Sequence, residues 1–464
     1  MTASTEYFAR RAPARASRKR RGEEGFTLVE LTVALIAGLI VALGIVGLSK
    51  DTSRTFHEEM RSSAAEGNLR TSVDRLRADL GRAGYMSTSN VATDTSIAKS
   101  PGTLNPIAAS LVGLRRLASI HLFRGGSVTT NGIALSLVNS VNPDAIEIGG
   151  NMTSADQFEV QLIQPTAGAG GCQRIFMSAT SPSMYRVIGS GLQSAQELNN
   201  IFQPSPVAMQ SIVRLVDDTG RSQYLATCAG TTPTGILGAG ASLQPYVDID
   251  PSTPILTAQQ TKTVGGINGF ASGRAMVNPV QIVRWEIMTA ASEPTQYVTS
   301  PLGTQPLKPT TQDPTKYDLV RSYVDAKSGN PVPQTRELIA EYAVDLSFAF
   351  SVDSGPSGLQ PKIASIPFDD ATNANWAQDV SSQPLPAVQD PQRIRSVNVR
   401  LVTRTAQADR VLNVAVPNST GPFMYRYCLL ATCDPVNSVG VLQYARARTV
   451  TAEVSLPNQS RNYY

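Results

Sequence analysis

The residues of this chain that could do chemistry by type and spacing gather near its beginning. Gly25 closes a charged segment, Phe26 opens an apolar run that reaches Leu48, and a carboxylate, Glu30, stands inside that run four residues after Phe26. An ionisable group costs about 2.5 to 3.5 kcal/mol at the centre of a bilayer, and less near an interface, so a chain that keeps one there usually has a partner for it. Glu30 is therefore a candidate for pairing with a cation supplied from elsewhere. The bland alternative is a carboxylate at a helix start that reaches the headgroups and interacts well with the helix dipole.

Elsewhere the chain is poor in reactive side chains. Its only histidines are His57 and His121, and no G-x-S-x-G, H-E-x-x-H or Walker sequence occurs, so a Ser-His-Asp site would have to be built around His121. Asp248 with Asp250, and Asp369-Asp370 with Asn373 and Asn375, offer oxygens to a calcium ion but lack EF-hand spacing and read as solvated loops. No catalytic residue, metal ligand or cofactor is assigned, and the chain reads as something other than an enzyme. The four cysteines, Cys172, Cys228, Cys428 and Cys433, form no Cys-x-x-Cys and lie far in sequence from either histidine, which favours two disulfides over zinc. Three connectivities are open; the favoured one joins Cys428 with Cys433 in a small loop and Cys172 with Cys228 as a longer staple.

Hydropathy and charge define the elements that must position these groups. Phe26 to Leu48 is 23 residues without Lys, Arg, Asp or Pro, and as a helix rising about 1.5 Å per residue it spans roughly 34 Å, enough to cross a bilayer. Seven basic residues against three acidic ones precede it, a bias that holds the N-terminus in the cytoplasm and sends everything after Leu48 outward. An ordinary secretory signal has a shorter apolar core, about 7 to 15 residues, with its cut site beyond it. Here the processing residue precedes the run, so a cut after Gly25 leaves the membrane helix on the mature chain. Losing residues 1–25 takes seven of the 40 basic and three of the 36 acidic groups and leaves 33 of each sign. The basic excess thus speaks for topology and against a nucleic-acid partner.

A helical pattern continues without proline to about Tyr85. Leu69, Val73, Leu76 and Leu80 form one apolar face, Phe56 and Met60 project roughly opposite, and Gly81 and Gly84 sit where a helix would end. From about residue 90 short alternating runs separated by Pro, Gly, Ser, Thr and Asn indicate strands and turns. Val344 to Asp353 reads as a half-buried strand, as do Val397 to Leu401, with Arg400 and Arg404 outward, and Val450 to Leu456. Ile212–Val216 and Gln223–Cys228 read as a hairpin, and Val280–Met288 pairs with Tyr317–Val324. The expected fold class is α+β, a long N-terminal membrane-spanning helix packed on a mostly antiparallel sheet. Residues 1–25 are the leader, 26–85 the helix and 86–464 an extracytoplasmic head, with surface insertions at 229–279 and 354–391.

The motif Gly25-Phe26-Thr27-Leu28-Val29-Glu30 behind a basic leader resembles the class III signal of prepilins. The resemblance narrows downstream. Arg77-Ala78-Asp79-Leu80-Gly81-Arg82-Ala83-Gly84-Tyr85, Val283-Arg284-Trp285-Glu286-Ile287, Leu319-Val320-Arg321, Leu338-Ile339-Ala340-Glu341 and the closing stretch Arg446 to Asn458 are similar to segments of PilW-type minor pilins and of the J-type pseudopilin. Together these blocks cover about half the chain. The resemblance implies a pilin-like fold, cleavage after Gly25 by a prepilin peptidase, N-methylation of Phe26, and pairing of the freed amine with Glu30 of its own or a neighbouring subunit. It implies an inner-membrane, single-pass chain with a periplasmic head that passes into a type IV pilus, at or near its tip. The partners it implies are other minor pilins, the major pilin, the inner-membrane assembly platform and a tip adhesin, in a complex that primes assembly for adhesion and motility.

Two features depart from the pattern. Major pilins place a proline in this part of the membrane helix, where this chain has Gly38, Gly44 and Gly47; and 229–279 has no counterpart in them. The bulky head favours a low-copy position over the repeating shaft. The J-type pseudopilin of a type II secretion system is the alternative within the fold, and a membrane-anchored periplasmic enzyme the alternative outside it.

Overall fold

A computed structural model of the chain describes residues 27–97, 110–127, 139, 141–164, 169–188, 194–205, 208–217, 220–230, 232–238, 243–253, 275–289, 297–300, 303–306, 316–356, 360–368, 391–408, 425–430 and 444–459. It comprises two compact units that divide between Met60 and Arg61. One helix, α1 (Leu28–Gly81), runs through the division. The first unit contains its apolar N-terminal part, and the second contains its last turns and every strand.

Among the described residues of the second unit three antiparallel sheets form. The largest joins β1 (Ile120–Phe123), β2 (Ala145–Gly150), β3 (Phe158–Gln164), β4 (Gln173–Met177), β5 (Ile212–Val216), β6 (Ser222–Ala226), β7 (Thr234–Leu237), β8 (Gln244–Ile249) and β9 (Met276–Thr289). A two-stranded sheet pairs β10 (Tyr297–Ser300) with β11 (Gly303–Pro306). β12 (Tyr317–Tyr323) and β13 (Glu337–Glu341) complete the largest sheet. The third, five-stranded, orders β14 (Ala343–Asp353), β15 (Ile363–Ile366), β16 (Ile394–Ala408), β17 (Arg426–Cys428) and β18 (Tyr444–Ser455) as β15-β14-β16-β18-β17. The expected α+β class, with one long N-terminal apolar helix and antiparallel sheets, is what forms.

β9 organises the largest sheet because its two ends take different neighbours. Val283–Thr289 pairs with β12 and Gln281–Trp285 with β2, whereas Met276–Val280 pairs with β5. The C-terminal part of β9 faces a core built with α1: Leu69, Val73, Leu76 and Leu80 meet Ile146, Trp285 and Leu319 of this sheet, and Leu346, Phe348 and Val399 of the five-stranded one. The apolar face expected at four, three and four residue spacing is therefore the buried face. Leu69, Leu76 and Leu80 are fully buried, each contributing about 1.5 to 3 kcal/mol. A second core gathers Phe158, Ile175, Val213, Leu225 and Val247 under the short helices Pro182–Ile188 and Ser194–Phe202, which supply Met184, Ile188, Leu198 and Phe202.

Several expectations need correction. The segment 229–279 is not a surface insertion throughout, since it supplies β7, β8 and the start of β9, and Val247 and Ile249 are fully buried. Its apolar positions are too few and too widely set among Gly and Thr to show a period. The body with its own core runs instead from β3 to the start of β9. In the same way 354–391 contributes β15, which pairs with β14. β14 is buried on both faces: Asp345 and Ser347 are buried with Leu346 and Phe348, because Arg400 reaches back to both, with Nε 3.0 Å from Asp345 Oδ2 and Nη2 3.1 Å from Ser347 Oγ. Arg400 and Arg404 are thus not outward; Arg404 is buried beneath the rings of Tyr342 and Tyr427. Charged residues in these strands satisfy one another, and hydropathy alone cannot separate that from solvent exposure.

α1 ends at Gly81, a turn before the expected boundary. Ala83 N–H donates to the Leu80 carbonyl, Gly84 turns the chain with φ +70°, and its N–H donates to Gly149 of β2. A Cβ at Gly150 would lie 2.3 Å from the Arg82 carbonyl oxygen, so only glycine lets β2 approach the helix exit this closely. One turn earlier Asp79, buried at the sheet, accepts from Arg321 Nε at 2.7 Å and from Trp285 Nε1 at 3.0 Å. Asp79→Ala leaves Arg321 buried without that carboxylate and should lower the unfolding free energy by about 3 kcal/mol or more. Urea unfolding of the detergent-solubilised chain, followed by fluorescence, checks this; a loss under about 1 kcal/mol would contradict the assignment.

Candidate functional site

The first unit presents the Glu30 region. Gly25 and Phe26 lie outside the described residues; Thr27 precedes α1. The Thr27 hydroxyl accepts from the Glu30 N–H at 3.2 Å, while Glu30 Oε2 accepts from the Thr27 N–H at 3.1 Å and from its hydroxyl at 3.0 Å. This reciprocal pair is a capping box, which satisfies two of the four N–H groups a helix start leaves open. The sequence carries its signal, Thr-x-x-Glu before an apolar run. Within this chain, then, the carboxylate is held by its own helix start.

Beyond Glu30 the helix offers apolar surface on every side. Leu31, Leu35, Ile40, Ile45 and Leu48 are each more than half exposed, and a Cβ at Gly38, Gly44 or Gly47 would meet no atom within 4 Å. This is the one helix among the described residues long and apolar enough to cross a membrane. Apolar surface all round a helix requires lipid or other helices around it. Phe56 and Met60, past the apolar run, are also exposed, at 58% and 56%.

In the second unit the stretches that carry the resemblance meet at the helix end. Asp79 joins Trp285 and Arg321. Ser72 Oγ donates to the Ile339 carbonyl, Arg82 Nη1 donates to the Met152 carbonyl at 2.6 Å, and Asn458 Nδ2 donates to the Gly81 carbonyl at 3.0 Å. Segments far apart in sequence thus share one task, holding the last turns of α1 against the sheet.

The remaining sequence candidates are occupied otherwise. His121, on β1, places Nδ1 3.5 Å from Glu147 of β2, which also accepts from Arg116 Nη2 at 2.9 Å and lies 3.4 Å from Arg284 Nη1. Against the burial that would raise it, His121, Arg116 and Arg284 hold the Glu147 carboxyl below its usual range. Asp248 is engaged by both Nε and Nη2 of Arg174, and Asp250 accepts from the Ser252 N–H and from Gln210. The two carboxylates therefore do not converge; Asp369, Asp370, Asn373 and Asn375 lie outside the described residues. Cys172 and Cys228 are joined, their Cα atoms 6.3 Å apart, so the bridge ties the residue before β4 to the chain just after β6. Cys428 is also disulfide-bonded, while Cys433, its expected partner, lies outside the described residues.

One titratable residue had no sequence signal. Asp144, fully buried just before β2, accepts from Arg124 Nη1 at 2.7 Å, from the Gly125 N–H at 2.9 Å and from the Phe348 N–H of β14 at 3.3 Å. It couples the two larger sheets. No protein-family model, no curated protein and no solved structure matches this chain at a significant level.

Burial pushes the Asp144 carboxyl up to about 7, against Arg124 and the two N–H donors, with Asp345 adding to the rise. A raised carboxylate binds its proton more tightly in the folded chain, so its contribution is complete below the unfolded value near 3.8 and is lost as pH rises through about 7. Unfolding free energy should fall by roughly 2 to 4 kcal/mol between pH 4 and pH 7 through this residue, and Asp144→Asn should remove that slope. Urea titrations at pH 4, 5.5 and 7 check it; identical slopes in the two proteins would contradict it.

Proposed function

We propose that this chain is a minor pilin of the PilW type, which joins a priming and tip complex for a type IV pilus. What supports the reading is a helix that starts directly after the Gly25-Phe26 motif and whose run to Leu48 is apolar on every face, uncovered, and interrupted by a single carboxylate, Glu30. In this mechanism the leader is cut after Gly25 and the new amine of Phe26, on its own or a neighbouring subunit, becomes the cation that Glu30 lacks within its own apolar run. Assembly then exchanges the Thr27 capping box, at a carboxylate still facing lipid, for an ion pair inside a helix bundle. The other minor pilins, the major pilin and a tip adhesin supply the surrounding surfaces. The head adds the body from β3 to β9, a bulk suited to a terminal position and unsuited to a repeating shaft.

Gly25→Ala should leave the chain unprocessed in the membrane, longer by its leader on immunoblots, and should impair piliation. Glu30→Gln should insert and be processed normally yet form less of the priming complex, with a loss of about tenfold or more and at most a few hundredfold in the assembled fraction, the ceiling being the roughly 2.5–3.5 kcal/mol of a charge at the bilayer centre. Counts of surface pili together with co-purification of the minor pilins check both. Intact pili in either variant, with loss of a hydrolytic activity, would transfer the reading to a membrane-anchored enzyme.

A further inference from the structure

We infer that the outer edge of β18, from Thr451 to Ser455, is a docking site for a β-strand donated by another protein. β18 pairs along its length with β16, but on its other side β17 meets it only at Tyr444–Arg446. The direction of the backbone groups follows from two bonds: Leu456 N–H donates inward to Arg395 of the β16 side, and Ala447 N–H donates outward to Tyr425. Antiparallel alternation with a period of two then turns the N–H and C=O groups of Thr451, Glu453 and Ser455 outward, where no described strand pairs with them. An open edge of this kind templates strand addition unless charge or cover blunts it. Glu453 is its one charge, and Thr451, Glu453 and Ser455 are exposed.

The core is incomplete at the same strand. Val450 and Ala452, on the face of β18 that meets the core against α1, are only partly buried although they pack against that core. A strand laid along the edge would finish the hydrogen-bonding ladder and cover these two side chains at once. Its chemistry is fixed by what it must face: apolar residues on the side of Val450 and Ala452, small polar ones on the side of Thr451, and a cation across from Glu453. The same edge of a second copy does not meet that specification. Edge-to-edge pairing with matching faces sets residues of like parity opposite one another, so Glu453 would face Thr449, Thr451 or another Glu453, never a cation.

The test uses the full chain in detergent and short synthetic peptides that alternate valine with threonine, one threonine replaced by lysine or, in the comparison peptide, by glutamate. Amide hydrogen exchange at Thr451 and Glu453 should slow by about tenfold or more with the lysine peptide and by clearly less with the glutamate peptide. Glu453→Lys should reverse that preference. Thr451→Pro, which removes an outward donor without touching the β16 ladder, should abolish the slowing; the Glu453→Lys reversal gives an independent reading if the proline variant does not fold. No slowing at saturating peptide, equal slowing by both peptides, or slowing that follows the concentration of the chain without peptide would each overturn the proposal, the last by assigning the edge to a second copy.

Discussion

The buried Asp79 carboxylate is the interaction on which the order of the second unit depends. It is the only ionisable residue that α1 buries among the described residues, and it lies in the last turn of the helix. Two donors from adjacent strands, Arg321 and Trp285, reach it, and because those strands are neighbours in register, one carboxylate fixes both the rotation of the helix and its position along the sheet. The leucines above it supply most of the favourable energy, but apolar contacts tolerate a range of rotations. A buried ion pair does not, since any slip leaves a charge unpaired at a cost of several kcal/mol.

Much of this was legible in the sequence, for physical reasons that can be named. The buried stripe of α1, the β5–β6 hairpin and the pairing of β9 with β12 rest on periods and turn residues that local chemistry imposes, and they form as expected. What was not legible involves polar residues whose partners are distant in sequence. Asp345 and Arg400 were expected to face solvent because each is charged; 55 residues separate them, and they bury each other. Asp144 lies in an unremarkable turn, and only the approach of β14 makes it a buried junction. β7 and β8 escaped because four- to six-residue strands amid Gly and Thr give no measurable alternation, although together they close one edge of the largest sheet.

The candidate site was legible in a different way. Glu30 announces itself by being a charge in an apolar run, and the Thr27 capping box is written in the same six residues. The two are compatible. A carboxylate that caps its own helix start is held in one place and shares part of its charge with the Thr27 N–H and hydroxyl, which lowers the cost of keeping it in an apolar run before a stronger partner arrives. The stretches that supported the resemblance also gain a physical meaning. Several of them seat the helix end: Asp79 meets Trp285 and Arg321, and Asn458 caps the Gly81 carbonyl.

The proposed function requires one covalent event, the creation of an amine at Phe26, without which Glu30 has only its own helix start to hold it. Mass spectrometry of the N-terminal peptide, from chain recovered out of native membranes, tests this most directly. The account predicts a first residue of Phe26 carrying one methyl group. A first residue anywhere else, or an intact leader on the mature chain, would contradict it.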